Sequence, residues 1–76
     1  MSYKRDLDKA LTVEDCQVAY EKECKSRLER YSKSDPENAV SRLICEDFVL
    51  WGAAEKRAVQ IKGYEMHFDS FVESKY

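Results

Sequence analysis

Only three residues of this 76-residue chain belong to the two types that most often interrupt regular structure: Pro36, Gly52 and Gly63. A chain with so few turn residues is expected to form long elements. Its apolar residues recur at intervals of three and four, as on one side of an α-helix, and no stretch alternates apolar and polar residues as a half-buried strand does. The sequence therefore predicts an all-α fold. Gly52, inside an apolar run, predicts either a bend or a close approach of another backbone.

Start and stop signals divide the chain into four predicted helices. Thr12 is placed to cap one helix start, and Asp35 is placed to cap another, with Pro36 at the first helical position. Gly63, directly after Lys62, indicates a helix end. The predicted helices cover residues 3–10, 12–32, 36–62 and 64–74. Their short connections make consecutive helices antiparallel neighbours, so the whole chain is expected to form a single domain, a compact four-helix bundle.

Composition excludes several classes of protein. A hydrophobic content of 43% with 37% charged residues is typical of a soluble domain and too apolar for a disordered chain. No apolar run approaches the ~20 residues of a membrane helix, and the N-terminus lacks the apolar core of a signal peptide. Neither glycine belongs to a phosphate-binding loop. We expect a cytoplasmic protein with no cofactor and no small-molecule substrate.

The cysteines are expected to be reduced and mostly buried. Cys16 and Cys24 lie eight residues apart on one predicted helix, about 12 Å along its axis, which is too far for a disulfide. Together with Cys45 and His67 they do not show the spacing of a zinc site, so no metal site is predicted. No nucleophile stands beside a recognisable base either, and neither catalytic residues nor enzyme activity is expected.

The most apolar segment, residues 44–54 (ICEDFVLWGAA), contains two adjacent acids. At 100° per residue, Asp47 falls in the middle of the apolar side of the third predicted helix, whereas Glu46 falls at its flank and is expected to be solvated. A lone buried carboxylate costs several kcal/mol unless it is paired or hydrogen-bonded. Folding neighbouring helices antiparallel brings candidate partners near Asp47. We expect a structural polar network that joins it to Tyr20, Tyr3 or Arg27.

Two further features suggest binding. Seven cations on the first two predicted helices form a candidate nucleic-acid-binding surface: Lys4, Arg5, Lys9, Lys22, Lys25, Arg30 and Lys33. Acids interleave with them and the net charge is −2, so a solvated surface of mixed sign is the alternative. Most aromatic residues, Phe48 included, are expected in the core. Val18 and Val49 lie on otherwise polar flanks and are candidates for a contact surface.

A chain of this length, with capped helix starts at Thr12 and Asp35, resembles the family of small accessory proteins encoded beside the UvsW recombination helicase of T-even bacteriophages. That family is likened in fold to the HRDC module, the structure-specific nucleic-acid-binding domain of RecQ-type helicases. The resemblance spans the whole chain. It implies an HRDC-like fold, nucleic-acid contact through basic and polar helix ends, and a role beside a helicase in the host-cell cytoplasm if a phage encodes the chain.

Two hypotheses of function follow. The first is a non-enzymatic accessory module of DNA recombination, repair or replication, which binds single-stranded or branched DNA weakly or assists a helicase. The alternative is an adaptor or inhibitor that docks on a replication or host protein by a helix face, without direct DNA binding. Neither hypothesis involves a membrane.

Overall fold

The structure, a computed structural model, describes residues 2–63 and 70–72. Within these residues it contains no β-strand and three α-helices: α1 (Tyr3–Lys9), α2 (Val13–Ser34) and α3 (Ala39–Lys62). The predicted all-α class is therefore confirmed. The fourth predicted helix, 64–74, lies largely outside the described residues, which include only 70–72 of it.

Two of the predicted helix boundaries follow local capping chemistry. The Thr12 hydroxyl accepts a hydrogen bond from the Asp15 N–H at 3.1 Å, and the Ser2 hydroxyl accepts one from the Arg5 N–H at 3.1 Å. Gly63 ends α3 with φ of 80°, in the left-handed region that glycine adopts without a steric penalty. The predictions for Thr12 and Gly63 are confirmed.

The start of α3 differs from the prediction. The Asp35 N–H donates to the Tyr31 carbonyl at 2.7 Å, so Asp35 ends α2. The next three residues form a turn, in which the Asp35 carboxylate accepts from the Asn38 side chain at 3.0 Å. A helix that begins at Pro36 with Asp35 as its cap is therefore wrong, because these bonds close a turn between the helices instead of the first turn of α3.

α3 passes through Gly52 without a break. A Cβ built at this position would meet no atom within 4 Å apart from the adjacent backbone of α3 itself, so the prediction of a close approach by another backbone is wrong. Gly52 instead leaves open space on the exposed side of the helix.

α2 and α3 form the largest helix interface, and α1 packs against both. α2 and α3 run antiparallel, since Tyr20 bonds Asp47 whereas Tyr31, further along α2, contacts Arg42, which precedes Asp47 on α3. The core contains apolar side chains of all three helices and of the 70–72 segment. Its buried members are Leu7, Ala10, Val13, Cys16, Tyr20, Cys24, Leu43, Leu50, Ala54, Ala58, Phe71 and Val72. On α2 they recur every three or four residues, as the helical period requires. On α3 the same period holds once the buried Asp47, which lies between Leu43 and Leu50, is included.

Arg57 of α3 closes the end of α1. Its guanidinium donates to the carbonyls of Leu7 at 2.9 Å, Asp8 at 3.3 Å and Ala10 at 3.0 Å. Carbonyls at a helix C-terminus have no partner within the helix, and a cation also suits the negative end of the helix dipole. A seven-residue helix is too short to be stable alone, so Arg57 and the burial of Leu7 hold α1 on the bundle.

We expect Arg57→Met to lower the free energy of unfolding by about 2 kcal/mol, because three carbonyls lose a charged donor while the apolar stem is kept. Urea unfolding followed by circular dichroism measures this change. Lys25→Met, which removes an exposed cation from α2, is the matched control and should stay within about 0.5 kcal/mol of wild type. Equal stability of the two variants would contradict the role of Arg57.

Candidate functional site

A buried carboxylate joins three segments of the chain. Asp47 of α3 is 6% exposed. Its Oδ1 accepts from the Tyr20 hydroxyl and from the Cys24 thiol at 3.7 Å, and its Oδ2 accepts from the Ser70 hydroxyl at 2.5 Å. The Tyr20 oxygen in turn accepts the Phe71 N–H at 2.6 Å. These bonds tie α2, α3 and the 70–72 segment together.

The donors to Asp47 among the described residues are two hydroxyls and a thiol, not a cation. A carboxylate strengthens the hydrogen bonds that it accepts to about twice the strength of neutral ones, which offsets the cost of its burial. Burial first, and the neighbouring Asp47 second, raise the pKa of Cys24 from 9.0 to about 12. Burial also raises the pKa of Tyr20. Both groups therefore keep their protons and donate at physiological pH.

Tyr3, the second partner that the sequence predicts for Asp47, bonds elsewhere. Its hydroxyl donates to the Leu50 carbonyl at 2.6 Å. Burial is the main cause that raises the pKa of Tyr3. The peptide carbonyl lies three residues beyond Asp47 on α3, so the phenol fixes the start of α1 on α3 and does not join the carboxylate network.

Arg27, the third predicted partner, pairs with two glutamates instead of Asp47. It donates to Glu23 at 2.7 Å and to Glu46 at 2.8 Å, and Glu46 also accepts from the Tyr31 hydroxyl. The bond from Tyr31, followed by that from Arg27, lowers the pKa of Glu46. Glu46 lies at the flank of α3, as predicted, with its side chain 32% exposed. Its carboxylate also accepts from donors on α2, which the sequence does not predict.

The exposed side of α3 is uncharged over three turns. The two acids of this span, Glu46 and Asp47, are turned toward α2 and the core. The exposed positions between 44 and 53, named here the α3 outer face, are Ile44, Cys45, Phe48, Val49, Gly52 and Ala53. Phe48 is 77% exposed, Val49 69% and Ile44 50%. In a chain with 37% charged residues, this helix surface presents only apolar groups and one thiol to solvent.

The α3 outer face exists because the apolar arc of this helix is wider than the side that the bundle covers. At 100° per residue its six positions span about half of the helix circumference, while Leu43, Leu50 and Ala54 occupy the buried side. The sequence assigns Phe48 to the core, and the structure shows that this is wrong. The sequence does carry a sign of this exposure: the apolar residues of 44–54 are distributed around the whole circumference of the helix. The bundle covers only one side of that circumference, so some of them must face solvent.

The two valines predicted for a contact surface are both exposed. Val49 belongs to the α3 outer face. Val18 lies on α2, 63% exposed, beside Lys22 and Lys25. It is the one strongly exposed large apolar side chain among the described residues of α2, so it forms no extended apolar surface.

The structure places the seven candidate nucleic-acid-binding residues on different surfaces. All are exposed: Lys4, Arg5 and Lys9 on α1, and Lys22, Lys25, Arg30 and Lys33 on α2. Lys4 lines the groove between α1 and α3, where Lys56 and Arg57 join it. Lys22 and Lys25 line a separate depression on α2. The sequence does not single out Lys56 or Arg57, since both lie on the third helix and reach Lys4 only through tertiary packing.

Acidic side chains interleave with the cations of α2. Glu21 and Glu29 line the same depression as Lys22 and Lys25. Lys33 pairs with Glu29 at 3.5 Å. Exposed pairs of this kind add little stability, but they reduce the positive potential that a phosphate group meets.

The remaining candidates for metal ligands are the three thiols and the single histidine. Cys16 and Cys24 are buried, Cys45 is exposed, and all three are free thiols. Within residues 2–63 and 70–72, no three His, Cys, Asp or Glu side chains are grouped so that they could hold a metal ion; His67 lies outside these residues. Among the described helices, none combines the length and the apolar character needed to cross a membrane.

Comparisons with protein-family models, with curated protein sequences and with solved structures find no match to this chain. Function is therefore inferred from the contacts, burial and charges of the chain itself.

We expect Tyr20→Phe to lower the free energy of unfolding by about 2 kcal/mol, because the lost hydroxyl both donates to Asp47 and accepts from Phe71. Hydrogen exchange of the Phe71 amide, followed by NMR, should become faster in the variant. Tyr31→Phe removes a less buried phenol and is the control, with Phe71 exchange as in wild type. Unchanged exchange at Phe71 in Tyr20→Phe would show that the network does not hold the 70–72 segment.

Proposed function

We propose that this chain is a non-enzymatic protein-interaction module that docks on a partner protein through the α3 outer face. The observation that carries the proposal is Phe48, 77% exposed at the centre of a helical surface that has no charge over three turns. Contiguous apolar surface is uncommon on soluble monomers and marks contact sites. The centres of protein interfaces are enriched in aromatic residues and depleted of charged ones.

Phe48 has the properties of an anchoring residue. An aromatic ring removes about 150–250 Å² from water when it is fully covered. Ile44 and Val49 flank it on the same face and extend the apolar contact. Apolar area stabilises a complex by about 25 cal/mol per Å², from which the entropy cost of association must be subtracted. Most of the binding free energy is therefore expected at these three side chains.

The surroundings of the α3 outer face indicate the kind of partner. Arg42 and Lys56, at its two ends, are exposed cations. Gly52 leaves open space beside Phe48. A partner helix with an apolar stripe fits this surface, since its side chains can enter the space at the glycine, and acids at its margins would meet the two cations. The complex is assigned to the cytoplasm, where the exposed Cys45 thiol stays reduced.

A photo-crosslinking residue, p-benzoylphenylalanine, in place of Phe48 is expected to form a covalent adduct with a protein in an extract of the cells that express this chain. The reason is that a docked helix lies against this ring position. Mass spectrometry of the adduct identifies the partner and the crosslinked peptide.

The matched control carries the same crosslinker in place of Val18, an exposed apolar position on α2. Adducts from position 48 that involve a helical peptide, and that Val49→Glu abolishes, support the proposal. Equal labelling from positions 48 and 18, or no adduct from position 48, would contradict it.

A second candidate function is the one that the resemblance implies. It is an HRDC-like module of four helices that acts in DNA recombination, repair or replication beside a helicase and binds single-stranded or branched DNA weakly. It is supported by the exposed cations of α1 and α2 and by the groove where Lys56 and Arg57 join Lys4. We place it second because acids interleave with the cations and the net charge is −2.

Fluorescence anisotropy of labelled single-stranded, duplex and forked DNA tests this second function. Binding through phosphates should weaken by about tenfold or more from low to moderate salt, because counterions are released. A variant with Lys22→Glu, Lys25→Glu and Lys33→Glu should lose binding. Phe48→Glu adds negative charge on the α3 outer face instead and is the control, which should bind DNA as wild type does. No binding at low salt would remove the DNA function.

A further inference from the structure

The α3 outer face has a similar pattern when α3 is read from either end. Its centre lies between Phe48 and Val49, and the exposed positions from 41 to 56 have exposed counterparts at the same distance on the other side, except that exposed Arg42 corresponds to half-buried Glu55. The corresponding pairs are Cys45 with Gly52, Ile44 with Ala53, and Ser41 with Lys56. Such a surface can be shared by two antiparallel copies of one helix about a two-fold axis.

We propose that the partner of the α3 outer face is a second copy of this chain, with the two α3 helices antiparallel and the two-fold axis beside Phe48 and Val49. The inference rests on the proposed function, because it names the occupant of the same face. Side-chain size, charge and contact area support this occupant.

The sizes of the side chains are complementary in this arrangement. Phe48 of each copy lies against Val49 of the other, and Cys45 lies level with Gly52 of the other. A Cβ on Gly52 would meet nothing within 4 Å, so the space there is free to receive a neighbouring side chain. Small residues allow two helices to approach to about 8 Å. At that distance each Phe48 ring fills the space beside the glycine of the other copy.

The charges at the ends of the face favour the antiparallel orientation. A parallel pair in register would set Lys56 against Lys56 and Arg42 against Arg42. In the antiparallel pair Lys56 lies level with Ser41, and Arg42 lies level with the acidic Glu55. Like charges across an interface are unfavourable and opposite charges guide association.

The contact area is sufficient for a weak dimer. From Ser41 to Lys56 the helix rises about 22 Å. Two helices in contact over this length bury on the order of 1,000 Å² in total, near the lower bound of specific interfaces. A dimer that dissociates in the micromolar to millimolar range is therefore expected.

Sedimentation equilibrium of the full chain, from low micromolar to millimolar concentration, should show the mass rise from one copy to two. Phe48→Glu should weaken dimerisation by about tenfold or more, because two carboxylates then meet an apolar surface at the axis. Val18→Glu makes the same change at an exposed position of α2 and should dimerise as wild type does. Circular dichroism checks that both variants keep their helix content.

A disulfide between the two copies tests the register in which their α3 helices pair. In the antiparallel pair, Cys45 lies about 10 Å along the axis from Cys45 of the other copy, beyond the separation of about 4–7 Å between Cα atoms that a disulfide tolerates. Gly52→Cys places a thiol level with Cys45 of the other copy, so oxidised glutathione should convert this variant to a covalent dimer. Gly52→Cys combined with Cys45→Ser should stay uncrosslinked, as should wild type. Cys16 and Cys24 are buried and do not compete.

The outcomes separate this inference from the proposed function. A monomer at every concentration overturns the dimer, whereas adducts of the position-48 crosslinker with another protein would still support docking through the α3 outer face. A dimer that is insensitive to Phe48→Glu, or wild type that crosslinks as fast as Gly52→Cys, overturns the antiparallel α3 pair. A covalent dimer of Gly52→Cys alone, together with self-adducts from position 48, supports it.

Discussion

Asp47 carries a carboxylate into the core, where its oxygens must find donors on other segments of the chain. Tyr20 and Cys24 supply them from α2, and Ser70 supplies one from beyond α3. Because Tyr20 also accepts the Phe71 N–H, one phenol links two parts of the chain that lie 51 residues apart. The register of α2 on α3 and the position of the 70–72 segment both depend on this network, since a slip of either helix would leave a buried oxygen without a donor.

The same network shapes the surface of α3. The adjacent acids Glu46 and Asp47 are turned toward α2 and the core, and their apolar neighbours Phe48 and Val49 are turned outward. This inverts the usual arrangement, in which acids keep a helix surface solvated and apolar residues fill the core. The inward acids are satisfied by hydrogen bonds, whereas the outward apolar groups gain stability only when another surface covers them. The Asp47 network and the α3 outer face thus lie on opposite sides of one helix.

Part of the Asp47 network follows from the sequence, because helical azimuth places Asp47 in an apolar arc and antiparallel folding brings Tyr20 level with it. Ser70 and the Phe71 N–H do not follow from it, since their positions depend on the path of the chain after Gly63. Arg27 falls within the apolar stripe of its own helix, which makes it a candidate partner of Asp47, yet it meets Glu46 instead because of the orientation of that side chain. Small rotations of a helix redirect long side chains, and spacing along the sequence does not specify such rotations.

The sequence by itself determines the helical class, the cap at Thr12 and the end of α3 at Gly63, because each depends on residues within about one turn of each other. It does not determine the turn after Asp35, since the same carboxylate can cap a following helix or accept from the Asn38 side chain, and in the structure it does the second. Nor does it determine which side of the apolar run around Phe48 is covered. Several rotations of α3 about its axis would each place apolar residues of this run in the core. The tertiary structure selects the rotation that buries Asp47, and this rotation leaves Phe48 exposed.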